Sequence, residues 1–335
     1  MQIVKYLINV HKCNSSQLTL DKTTPLHIAC RNGHLDIVKF LTLDKYCDPV
    51  CRDSSGNTPL HQAALEGHID VVKFYVSELK CDPNIPGQHG STPLHCASQG
   101  GHVQVMKYLI DDHKCNPSQI DGEKFTPLHF AAMKGHLDAV KFLTLEKCCE
   151  VVYQNSSSTT PLHLAALNGH INIVEFFISE LKCDPNIPGY RGSTPLHTAS
   201  QGGHMQVMKY LIDVHKCNPS QVNESKLTPL HLTAGKGYLD AVKFLTLDKH
   251  CDPVCRNVTG YTPLHFAAQS GHLHVVQFLI ETLHCPPDIT GPHAFASPLL
   301  LATTRGHHHV VQYLRNVLLV KSAVNFYQVY LASRK

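Results

Sequence analysis

An all-α solenoid of stacked helix-turn-helix units is the fold class this sequence predicts, and three observations predict it. The tetrapeptide TPLH begins at Thr24, Thr58, Thr92, Thr126, Thr160, Thr194, Thr228 and Thr262, always 34 residues apart, and a degenerate copy, SPLL, follows at Ser297. Between copies the apolar residues recur at helical spacing, as in LDIVKFLTLDK from Leu35, and do not alternate as in a strand. The helices so marked are too short to stand alone, so each unit needs neighbours to cover its apolar stripe. Residues 1–23 align with the second half of a unit, 24–296 make eight units of 34 or 35 residues, and 297–335 make a degenerate last unit and a tail. No linker or second kind of domain interrupts them.

Within a unit the elements follow in order. Thr24 is a good N-cap, and Pro25 sits at the first helical position, where its missing N–H leaves nothing unpaired. This predicts a first helix over about Pro25–Asn32, ended at Gly33, which can take the left-handed cap conformation. His34 and Leu35 open a second helix, with Leu35, Val38 and Leu41 (beside Ile37 and Phe40) on one face. Cys47-Asp48-Pro49 ends it, because proline disfavours helix at the residue before it. The segment leading to the next TPLH is rich in Gly, Asn, Ser and Asp, which is turn chemistry.

The motif TPLH-x-A followed by GH, as in Thr58 to Ala63 with Gly67-His68, resembles the ankyrin repeat, and the resemblance spans essentially the whole chain. It implies an antiparallel helix pair per unit, projecting hairpin loops, and an inner face made of hairpin tips and first helices. It also implies protein recognition without catalysis. The family's usual period is 33, and the motif alignment puts the extra residue at the end of the second helix. The glycine expected there is replaced by Lys45-Tyr46, Lys80, Lys114 and their equivalents, so that cap must form by other means. Thr233 and Tyr238 replace the usual alanine and histidine in one unit, which is expected to be looser.

The residues with metal-ligand chemistry lie on the same lattice. Of 26 histidines, eight are in TPLH (His27, His61, His95, His129, His163, His197, His231, His265), and eight follow the unit glycine, from His34 to His307. The resemblance gives the first set the task of tying helix to loop backbone. Nine of the 14 cysteines, from Cys13 to Cys285, match a position where the family has a small buried residue, and a thiol there packs as a small apolar group. Stacked helices lie about 8–10 Å apart, too far for a disulfide between equivalent positions. The cysteine pair in CDPVC gives two ligands, fewer than a tetrahedral site needs, and His307-His308-His309 reads as a solvated helix start. No phosphate loop, HExxH or GxSxG motif is present. No metal, cofactor or catalytic residue is therefore expected. The N-x-S/T sequences at Asn14, Asn155, Asn223 and Asn257 are read as incidental.

Composition narrows the class further. A net charge of +3 from 29 basic and 26 acidic residues is too balanced to point to nucleic acid or an anionic membrane. No run of 18 apolar residues is available to insert into a bilayer. A reduced, cytoplasmic protein is expected, with the nucleus as the alternative location, and a monomer unless it is part of a larger chain.

A second period lies inside the first. Lys80–Gln119 and Lys182–Gln221, 102 residues apart, differ at only five of 40 positions: Gln88/Tyr190, His89/Arg191, Cys96/Thr198, Val103/Met205 and Asp112/Val214. The first two pairs fall at a hairpin tip and the third on or near the inner face. Arg52, Lys124, Phe125, Tyr153, Lys226, Tyr261 and Phe295 fall at or near the tips of other units. Exposed aromatic and arginine side chains carry much of the energy of protein interfaces. Gln88, His89, Tyr190, Arg191 and these seven are the candidate contacts for one or more protein partners. A binding scaffold is the expected function. The alternatives are a regulatory or targeting subunit of an enzyme such as a phosphatase or ubiquitin ligase, or the repeat portion of a larger signalling protein. Met1 starts inside a second helix, leaving Ile3, Val4 and Leu7 poorly covered, which suggests a cut through a longer array. The tail after Val317 is expected to fold back as a cap.

Overall fold

A computed structural model describes residues 2–11, 14–16, 18–291 and 296–332, with side chains through residue 324. Among them every regular element is a helix. The chain divides into two compact bodies, Met1–Ala165 with Asn172–Cys183, and Ala166–Ile171 with Asp184–Lys335. The same parts build each one.

The first helices run from the TPLH proline, as in Pro25–Arg31, Pro93–Gly100 and Pro195–Gly202. Each begins in a reciprocal cap. The His27 amide donates to Thr24 Oγ1 at 3.3 Å, and the Thr24 amide donates back to His27 Nδ1 at 3.3 Å. With Nδ1 accepting, Nε2 carries the proton and donates to the Asn57 carbonyl of the next repeat at 3.1 Å. His61, His129, His197, His231 and His265 repeat this bond to the carbonyls of Ser91, Thr159, Leu227, Tyr261 and Ala296. One buried imidazole thus caps its own helix and anchors the following hairpin.

The histidine after the unit glycine makes a second link. His68 Nε2 donates to the Arg31 carbonyl at 2.8 Å, and His136, His204, His272 and His307 do the same to Gln99, Leu167, Gly235 and Gln269. The ring lies so close to the preceding repeat's glycine that a Cβ on Gly33 would come within 2.5 Å of His68. Gly33 also has φ +69°, so it is fixed by conformation and by space. Tyr238 covers Gly203 in the same way, and Thr233 is fully buried with its hydroxyl on the Leu230 carbonyl. That repeat is packed like its neighbours, contrary to the expectation that it is looser.

The second helix holds the extra residue. Leu35–Lys39 is α-helical, but Phe40–Asp44 is a π turn, with the Lys45 amide bonded to the Phe40 carbonyl five residues back. A π turn is how a helix absorbs one inserted residue. The next residue is left-handed without being glycine: Tyr46, Lys80, Lys114, Cys148, Lys182, Lys216, His250 and His284 have φ between +52° and +56°. The following cysteine amide then reaches back into the helix, as Cys47 does to Leu41, and closes the end. Such conformations cost about 1 kcal/mol each for a residue with a Cβ.

Lysines bridge neighbouring repeats along the second helices. Lys5, Lys39, Lys73, Lys107 and Lys141 lie 5.1–5.8 Å from the ring centres of Phe40, Phe74, Tyr108, Phe142 and Phe176 in one body. Lys209 and Lys243 do so over Phe244 and Phe278 in the other. The apolar core between the helix rows contains Leu26, Leu60, Leu94, Leu128, Val105, Met106 and Tyr75 in the first body, and Leu196, Leu230, Val207 and Met208 in the second. The tail does not fold back: His308–Ala332 is one continuous helix of 25 residues, tied by Lys321 to Asp288 and by the Tyr313 hydroxyl to Glu281. Ile3 and Leu7 are exposed.

Candidate functional site

Five-residue hairpins form the tips, and a single lattice position shapes them. Asp53, Asp121, Asn155, Asn223 and Asn257 each turn a side-chain oxygen onto two backbone amides, two and four residues on. This is why three of the N-x-S/T sequences occur: the asparagine is a turn former, and Asn155 is buried. The residue at the crest is left-handed, with glycine at Gly56, Gly90, Gly192 and Gly260, and lysine or serine at Lys22, Lys124, Lys226 and Ser158. Successive tips are stitched by backbone bonds, from Gly122 to His89 and Ser156 to Glu123 in one body, and from Glu224 to Arg191 and Val258 to Ser225 in the other.

In the first body the tips and first helices enclose a depression of about 360 Å³. Its lining includes Gln88, His89, Cys96 and Phe125, all singled out from sequence. Phe130 and Met133 on the first helix Pro127–Lys134, and Asp121 and Glu123 on the tip, were not. Phe125 and Phe130 lie 5.5 Å apart, centre to centre, in a tilted pair. A signal for the missed floor residue was available: the position just after TPLH varies widely (Cys96, Phe130, Thr198, Leu232, Phe266) while its neighbours hold constant.

The other candidates are placed as follows. Tyr190 and Arg191 are exposed together on one tip, the guanidinium 5.3 Å from the ring centre. Lys124 and Lys226 are exposed crest residues. Tyr153 meets His129 edge-on at 6.2 Å and Tyr261 stacks on His265 at 5.2 Å, so both rings also cover structural histidines. Arg52 Nη1 donates to the carbonyls of Gly56 and Pro86, both at 2.6 Å, and Arg256 repeats this with Gly260 and Thr290. Arg52 therefore staples two hairpins. Phe295 and Cys13 lie outside the described residues.

The chemistry of the buried groups is that of packing. Burial pushes the imidazoles of His61, His129, His231 and His265 down to about 4, and those of His27, His95 and His197 in the same direction. The same cause raises Cys96 to about 12 and Cys115, Cys217 and Cys285 to about 11, so they remain thiols. The described cysteines are free, and among the described residues no group of three or more His, Cys, Asp or Glu is placed to hold a metal ion. Among those residues, too, no helix is long and apolar enough to cross a membrane.

The family model described as ankyrin repeats (3 copies) matches the chain in seven overlapping stretches: 1–86, 75–155, 113–189, 146–221, 162–257, 203–291 and 230–325. No curated protein matches it.

Proposed function

Since the chain belongs to the ankyrin repeat family, we propose that it is a protein-binding scaffold that takes its partners on the face made by hairpin tips and first helices. Ankyrin repeats are generally protein–protein interaction modules and are typically non-catalytic. The observation that carries the reading is the clustering of Gln88, His89, Cys96 and Phe125 around one depression on that face. Three of these four are among the few residues that distinguish two otherwise near-identical stretches. The repeat frame is held by buried groups, so the exposed tips are free to vary without loss of the fold. The proposed setting is the cytoplasm or nucleus, where the buried thiols stay reduced.

The test is affinity capture from cells followed by mass spectrometry, with the wild-type chain beside two tip variants and one variant on the second-helix face. Gln88→Ala with His89→Ala, or Tyr190→Ala with Arg191→Ala, should remove specific partners with an unchanged melting temperature. Lys73→Ala should retain them. Partners indifferent to both tip variants would overturn the reading.

A further inference from the structure

The depression has a chemical character that its duplicate lacks. Its floor is Leu65, Phe130 and Met133, its wall Phe125, and its rim carries the carboxylates of Asp121 and Glu123. Among the described residues neither carboxylate has a cationic side chain within ion-pair distance. The titratable neighbours are His89 in the lining and the buried His95 and His129, both of which feel the charge of Asp121. One period of 102 residues later the same positions read Leu167, Leu232, Gly235, Leu227, Asn223 and Ser225. Both acids at these positions, both aromatic rings and the methionine have gone together, His89 has become Arg191, and the one acid on the duplicate's tip is Glu224, in place of Gly122.

We propose that the depression at Phe125, Phe130 and Glu123 receives an arginine side chain of a partner protein. Three features select this occupant. A guanidinium is planar and stacks on aromatic faces, which the Phe125–Phe130 pair supplies. Its fork of N–H donors pairs with the carboxylate of Glu123, while Asp121, whose Oδ1 holds two turn amides and whose Oδ2 accepts from Ser91 Oγ at 3.4 Å, adds a second negative charge. Its aliphatic stem needs apolar cover, which Leu65 and Met133 supply. A lysine would satisfy the charge but neither the stacking nor the fork. An acidic segment would meet two like charges.

This rests on the protein-binding reading above and can fail without it. The chain has five methionines, so ¹³C-methyl labelling gives a short spectrum in which Met133 is assigned by Met133→Leu. The probes are acetyl-Leu-Arg-Leu-amide and the same peptide with lysine, citrulline or glutamate at the centre, at millimolar concentration. The arginine peptide should shift the Met133 methyl most, lysine less, and citrulline and glutamate hardly at all. Asp121→Asn with Glu123→Gln should weaken the arginine peptide about tenfold, the loss expected for charge-assisted hydrogen bonds. Asparagine keeps the turn, as Asn223 does in the duplicate. An unmoved Met133, or citrulline acting as well as arginine, would overturn the arginine anchor. Retention of partners by both tip variants, Gln88→Ala with His89→Ala and Tyr190→Ala with Arg191→Ala, would instead overturn the broader reading.

Discussion

Residues 87–133 and residues 189–235 are two copies of one stretch, and what they share differs in kind from what they do not. The shared residues make the repeat: Thr92 and Thr194 cap helices, His95 and His197 anchor the next hairpin, and Cys115 and Cys217 are buried at equivalent helix ends. Most of the divergent residues stand on the tips and first helices, while Val103/Met205 and Asp112/Val214 lie on the second helices. In the first copy the former make an acidic, aromatic depression, and in the second an exposed tyrosine–arginine pair. A stack of this kind assigns stability and recognition to different positions of one repeat, so a duplicated frame can present two chemistries. Perturbing the frame should therefore affect both copies equally.

Acid should have the largest effect. His129 and His231, one in each copy, have pKa values pushed down to about 4 by burial, against 6.5 for a free side chain. The folded pKa is the lower one, so as the pH falls the unfolded chain takes up protons first. The contribution is intact above 6.5 and is lost between 6.5 and about 4. Each such histidine can remove about 3 kcal/mol, and several titrate over the same window. Urea midpoints should be flat above neutrality and fall steeply through this window. Amide exchange should show protection lost from both copies together; one copy surviving alone would mean that the frames are not equivalent.

Removing one anchor comes next. His95→Ala leaves the Thr92 amide and the Phe125 carbonyl without their partner, and His197→Ala does the same to Thr194 and Leu227. Each should lose about 3 kcal/mol in chemical denaturation, because buried polar groups are left unpaired. The two losses should agree to within about 1 kcal/mol.

Glycine at the left-handed helix ends should act in the opposite direction. Lys114 and Lys216 both have φ +56°, and each turns its ammonium onto a carbonyl three residues back at 2.6 Å. Lys114→Gly and Lys216→Gly should each raise stability by less than about 1 kcal/mol, the relieved strain being partly offset by the lost exposed bond and by chain entropy. A decrease would show that the ammonium contact outweighs the backbone strain.

The frame was legible in the sequence and the depression only in part, for physical reasons. Thr24, Pro25, His27 and Gly33 announce themselves because Thr24 and His27 cap each other, Pro25 suits the first helical position and Gly33 takes a left-handed φ. The 34-residue step disclosed an extra residue, but where it is absorbed depends on hydrogen-bond register, which Phe40 to Asp44 do not spell out. Lys80 and Lys114 hide a left-handed cap because glycine is its usual sign. Gln88, His89 and Phe125 could be placed on tips by spacing, whereas Phe130, Met133 and Glu123 join them only through the lean of neighbouring hairpins. Arg52 is exposed, as its place before TPLH implies, but its Nη1 also bonds two carbonyls 30 residues apart, those of Gly56 and Pro86, a match that only stacking creates.

The smallest expected effect distinguishes the two copies outside the recognition face. Lys107 lies 5.3 Å from the Phe142 ring centre and also 3.6 Å from Glu146, whereas Lys209 lies 5.7 Å from Phe244. Among the described residues no ion pair is formed by Lys209. Methionine keeps the stem and removes the charge, so Lys107→Met and Lys209→Met isolate the ammonium. Each should lose about 0.5 kcal/mol from the ring contact at an exposed site. Lys107→Met should lose a few tenths of a kcal/mol more at low ionic strength, and that excess should vanish in about 1 M salt, where the Debye length shrinks to about 3 Å. A salt-sensitive deficit in both variants, or in neither, would mean that the Lys107–Glu146 pair does not separate the two copies. If neither deficit is salt-sensitive, the ring contact alone accounts for the lysine at this place in the repeat.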